Sequence, residues 1–135
     1  MSYKLNYFKN KDIVEKLHSF LIELPNVIVD DSAKAASIGY YVEGKKYKFA
    51  TLVAASYQSL VLHVNPGYRS TALGKVLQVE IQRLLEFDIS SIRKHVLKAN
   101  EVYIPLEKLQ SIKSIESIRE YIEYAYHKQD RVARK

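Results

Sequence analysis

The sequence predicts an α+β fold: an antiparallel sheet of about three to five strands packed by about four helices. Three observations carry this expectation. Apolar residues recur at helical spacing in 11–24, 70–87 and 114–128. Between the first two of these stretches, residues 38–64 hold consecutive apolar runs separated by turn residues. The connections between those runs are too short for the crossovers a parallel sheet needs, so the strands form an antiparallel meander.

Taken in order, "KDIVEKLHSFLIEL" at 11–24 places Ile13, Leu17, Phe20, Leu21 and Leu24 on one helical face. Asn10 is its expected N-cap, and Pro25 ends it. Val27 to Val29 read as a short strand, and "DDSAKAAS" reads as a loop or a frayed helical turn. "IGYYV" and "YKFATLVAA" are expected to pair across "EGKK", with Gly44 in the left-handed conformation of the turn. In the second strand Tyr47, Phe49, Thr51 and Val53 should point one way, and Lys48, Ala50, Leu52 and Ala54 the other. "ASYQ" at 55–58 is a turn. "SLVLHV" at 59–64 is a strand whose Leu60, Leu62 and Val64 face the core, with His63 opposite.

The stretch 70–87 is expected to be helical through Leu73, Val76, Leu77, Ile81, Leu84 and Leu85. Asp88 or Ser90 could cap a following helix that turns Ile89, Ile92 and Val96 inward and stops at Asn100. "EVYIPL" at 101–106 is a strand that Pro105 ends or confines to an edge. "SIESIREYIEYAYHK" at 114–128 is a final helix buried along Ile115, Ile118, Ile122 and Ala125, and "QDRVARK" at 129–135 reads as a frayed basic tail. With no internal repeat, low-complexity segment or linker in 135 residues, the whole of 1–135 reads as one domain.

Composition excludes several functions. Hydrophobic residues make up 47% of the chain, enough for a core. No apolar stretch approaches the ~20 residues that cross a bilayer. The opening "MSYKLNYFKNKDIVEK" is too charged for a secretory signal, so no membrane partner is expected. The chain has no cysteine, which rules out disulfides, thiolate metal sites and cysteine nucleophiles, and a cytoplasmic location fits.

No motif points to an enzyme. "NPGYRSTALGK" resembles a phosphate-binding loop in outline, but six residues separate Gly67 from Gly74, and Val76 stands where a magnesium-binding hydroxyl is needed. His18, His63, His95 and His127 are not spaced as metal ligands, and Asp30-Asp31 is the only adjacent acidic pair. There is no Gly-x-Ser-x-Gly turn. The expectation is a non-enzymatic protein with no catalytic residues, metal or cofactor.

Charge and tyrosine suggest binding instead. The net charge is +6, and residues 91–135 carry ten positive against six negative side chains. The chain has 11 tyrosines, and "YYVEGKKYK" interleaves three of them with lysines. Rings that stack on bases beside cations that neutralise phosphates are the parts of a single-stranded nucleic-acid surface. The candidate residues are Lys45, Lys46, Tyr47 and Lys48, with Arg69, Lys75, Arg131, Arg134 and Lys135 as electrostatic support. The alternative is a protein partner or a homodimer held through Tyr121 and Tyr124 of the last helix.

Between about 36 and 127, the order "GKKYKFATL", "SLVLHV", a helical middle, "VYIPLEKL" and "IREYIEYAYHK" resembles a small α+β domain family described as "predicted transport protein", whose members also occur appended to nuclease-like proteins. The likeness covers about two thirds of the chain. It implies a sheet with flanking helices and an accessory or binding role, and it carries no active site over to these residues.

Overall fold

The computed structural model describes residues 3–55, 57–64, 73–92 and 100–132, without the side chains of 91, 92 and 128–132. A short 3-10 turn, Tyr3–Tyr7, leads into helix α1, Lys11–Glu23. Asn10 caps that helix as the sequence predicts, its Oδ1 accepting the Ile13 N–H at 3.2 Å. The strands are β1 (Val27–Asp30), β2 (Ser37–Val42), β3 (Ala50–Val53), β4 (Ser59–His63) and β5 (Glu101–Pro105). They form one antiparallel sheet in chain order. Helices α2 (Leu73–Leu85) and α3 (Ile89–Ile92) stand between β4 and β5, while α4 (Ile112–Ser117) and α5 (Arg119–Val132) follow a 3-10 turn at Leu106–Lys108. The α+β fold class is as expected.

Strand alternation builds the core. Ile38, Tyr40, Ala50, Leu52, Leu60, Leu62, Val102 and Ile104 share one face and are fully buried. They pack in a single cluster with Ile13, Val14, Leu17 and Leu21 of α1, Ile122 and Ala125 of α5, and Leu77 and Ile81 of α2. Burying each such leucine or isoleucine contributes about 1.5–3 kcal/mol. His63 lies on the opposite face, half-buried, as its place in the alternation predicts, with Nε2 3.0 Å from the Thr51 hydroxyl.

Three expectations are corrected. First, β3 begins at Ala50, so Tyr47 and Lys48 belong to the β2–β3 connection. Phe49 also leaves the predicted face: it and Ala50 are both buried, and its ring packs edge-on against Tyr126 of α5 at 5.4 Å. The gain from burying an aromatic ring outweighs strict alternation at the strand end. Second, the last helical stretch is two helices. α4 ends at the cap residue Ile118, and the Ser117 hydroxyl donates back to the Ser114 carbonyl at 2.6 Å, a bond that competes with helix continuation. The break lets Ile115, Ile118 and Ile122 all reach the core. Third, helix continues through Val132, past the predicted end at 128.

Two contacts with no local signal tie the chain together. The Lys4 side chain is only 2% exposed, and its Nζ donates to the carbonyls of Ala33 (2.6 Å), Ala35 (2.9 Å) and Ser37 (3.1 Å). Gln78 of α2 meets the outer edge of β5: its Oε1 accepts the Tyr103 N–H at 2.6 Å, and its Nε2 donates to the Tyr103 carbonyl at 3.1 Å. A side-chain amide thereby takes the place of a sixth strand.

Candidate functional site

The β2–β3 connection, residues 43–49, begins as a tight turn. The Lys45 N–H donates to the Val42 carbonyl at 2.9 Å, and Gly44 takes φ +82°, the left-handed geometry this position demands. The turn presents Lys46 to solvent, and its ammonium lies 5.3 Å from the centre of the half-buried Tyr47 ring. A cation held over an aromatic face at that range is attracted by the ring quadrupole. Lys45 is half-buried beside them.

Lys48 is used differently. Its aliphatic stem crosses the sheet over Gly39, where a Cβ would stand 2.6 Å from the Lys48 Cδ. Glycine at 39 is what leaves room for the stem. The Lys48 charge also acts on Asp30, the cross-strand partner of Gly39. The Asp30 carboxyl is held below its ordinary range chiefly by the Ser32 hydroxyl and N–H, and secondarily by Lys48.

Of the supporting cations, the one with a described side chain, Lys75, lies apart from this turn. Lys75 stands exposed in the first turn of α2, the helix that packs on β5, while the turn joins β2 to β3. β4 lies between those two parts of the sheet. Arg69, Arg134 and Lys135 lie outside the described residues. Arg131 is in the last turn of α5, with its side chain outside them.

The tyrosines of α5 pack partly against their own chain. Tyr121, Tyr124 and Tyr126 are half-buried against the core. The Tyr121 hydroxyl donates to Glu80 of α2 at 3.0 Å, and burial followed by that carboxylate pushes its ionisation upward. The Tyr126 hydroxyl donates to the Pro25 carbonyl.

His18 of α1 is 3% exposed, with Nδ1 2.7 Å from the hydroxyl of the fully buried Tyr40. Burial lowers the pKa of His18 and raises that of Tyr40, so both are neutral near pH 7. The unfolded chain binds the imidazole proton more tightly than the folded one. The stability this pair contributes is therefore complete above pH ~6.5 and declines as the pH falls below that value. Urea midpoints measured from pH 8 to pH 5 should fall on the acid side, and His18→Asn should flatten that fall. An equally steep acid decline in the variant would assign it to other groups.

A cleft of about 220 Å³ opens where the N-terminus of α1 meets Tyr57, Gln58 and the end of β5. Val14, Pro105, Leu106 and Leu109 are among its lining residues, and Lys9, Tyr57, Gln58 and Glu107 supply polar groups. Gln58 is already committed, accepting the Lys9 N–H at 2.9 Å and donating to the Tyr7 carbonyl at 3.1 Å. The volume is below the roughly 300–1,000 Å³ of small-molecule sites. Among the described residues no three His, Asp or Glu side chains gather as metal ligands, and no helix is long and apolar enough to cross a membrane.

No family model matches the chain, and no match is found among curated proteins or solved structures.

Proposed function

We propose that this protein is a binding module that takes single-stranded nucleic acid on its β2–β3 turn, in a cytoplasmic setting that a cysteine-free chain suits. The observation that supports this reading most is the exposed Lys46, its ammonium poised over the half-buried Tyr47 ring. One side chain of the pair can neutralise a phosphate while the other stacks on a base, with Lys45 adding a second cation. Lys48 braces the turn from behind through Gly39. The family resemblance, with its accessory or binding role, leans the same way.

Fluorescence anisotropy with labelled single- and double-stranded DNA and RNA, titrated across salt, tests the proposal. Binding should favour single strands. Lys45→Ala with Lys46→Ala should lower the logarithmic salt slope by about 1.4, at ~0.7 per phosphate contact on a single strand. Tyr47→Ala should weaken binding by roughly 5- to 150-fold, the loss of one stacking contact. Unchanged affinity in both variants would remove the turn from the proposal.

A further inference from the structure

The sheet has two edges, and they are finished differently. At β5 the outward backbone of Tyr103 is paired by the Gln78 amide, α2 packs alongside, and the strand ends in Pro105. At β1 nothing comparable is found among the described residues. Ile28 is the cross-strand partner of Tyr41, and the Asn26 carbonyl accepts the Glu43 N–H at 2.8 Å. Inward-facing residues alternate with outward-facing ones, so the N–H and C=O groups of Val27 and Val29 point away from the sheet.

β1 is short and ends in Asp30, but it carries no other device that protects an edge. Its sequence, "VIVD", has no proline or lysine. Ile28 is 47% exposed on one face of the strand and Val29 is 36% exposed on the other. An extended, apolar strand with free outward hydrogen-bonding groups is a template for another strand.

We propose that the β1 edge is a self-association site, where β1 of a second copy of this chain pairs antiparallel and joins two sheets into one. The strand is self-complementary about Ile28. A two-fold axis there sets Ile28 opposite Ile28 of the second copy. Val27 then exchanges both backbone bonds with Val29 of that copy, and Val29 with its Val27. Asp30 falls opposite the Asn26 position of the other copy, where the chain turns out of the strand at φ +62°, so no second Asp30 meets its charge. A second copy brings a strand that is already ordered in its own sheet, whereas a flexible peptide would lose chain entropy on binding.

The chain has no cysteine, which makes cross-linking clean. At the two-fold axis Ile28 forms a non-hydrogen-bonded pair, about 4.5 Å between Cα atoms, within disulfide range. Under mild oxidation Ile28→Cys should form a covalent dimer efficiently, and Val29→Cys, which faces Val27 rather than itself, should not. In sedimentation equilibrium the native chain should exceed its 15.6 kDa monomer mass as concentration rises. Val29→Pro removes an outward N–H while leaving the bonds to β2, and should weaken the dimer about tenfold or more. A native protein that stays monomeric overturns the proposal. So does a dimer that Val29→Pro leaves unchanged, or equal cross-linking at 28 and 29. If Val29→Pro fails to fold, the cysteine pair still decides.

Discussion

Replacing Lys4 with methionine will lower the stability of the fold by about 3 kcal/mol, although a lysine near a chain end ordinarily tolerates substitution. Methionine keeps the stem that fills the buried channel and removes only the ammonium. What is lost is a charged donor serving three carbonyls at once, those of Ala33, Ala35 and Ser37. Each charged hydrogen bond contributes roughly 1.5–3 kcal/mol, and the recovered desolvation energy of the ammonium offsets part of the sum. Lys4→Ala should cost more, because it also empties the space the stem fills. For a chain of this length a loss of 3 kcal/mol corresponds to a fall of roughly 10 °C in Tm. The loss should have a local signature as well: hydrogen exchange in residues 33–37 should accelerate ahead of the sheet centre. A Lys4→Met protein within 0.5 kcal/mol of the native chain, to take a rough threshold for neutral surface changes, would refute the assignment.

Gln78→Leu should destabilise by about 2–4 kcal/mol. Leucine nearly matches glutamine in volume, so packing beside β5 changes little, but the buried N–H and C=O of Tyr103 both lose the Gln78 amide. An unsatisfied buried group costs roughly 1–3 kcal/mol. Gln78→Glu separates hydrogen bonding from bulk. A carboxylate can still accept from the Tyr103 N–H, but it has no donor for the Tyr103 carbonyl and sets two oxygens against each other. Both variants should therefore fall well below the native chain in urea midpoint. If Gln78→Glu matched the native protein, the two-point bond would not be what closes this edge. Since β5 is the protected edge, Gln78→Leu should also raise the tendency to aggregate on partial unfolding.

Much of the element list could be read from local pattern. The apolar spacing of Ile13, Leu17 and Leu21, the cap at Asn10 and the stop at Pro25 define α1 without reference to the rest of the chain. The alternation of Leu60, Leu62 and Val64 against His63 sets β4 and its faces. Gly44 marks the turn, because few other residues tolerate its φ. Of the two caps the sequence offers, Asp88 and Ser90, it is Asp88 that accepts the Ser90 N–H, at 3.0 Å.

The candidate surface was legible only in part. Lys46 and Tyr47 are neighbours in the chain, so their pairing could be anticipated. Lys48 could not be separated from them by composition, because its place depends on Gly39 in another strand. Spacing alone did not show that Tyr121 and Tyr124 also pack against the core, or that the Tyr121 hydroxyl reaches Glu80 of α2.

What the sequence determined by itself is most of the elements and most of their buried faces, because side-chain period, capping and turn conformation act within a few residues. The tertiary structure decided where polar side chains go. Lys4 finds its carbonyls about thirty residues away, Gln78 meets Tyr103 twenty-five residues on, and His18 meets Tyr40 across the core. Each partner exists only once packing has buried a group that must be satisfied, so no local spacing announces it.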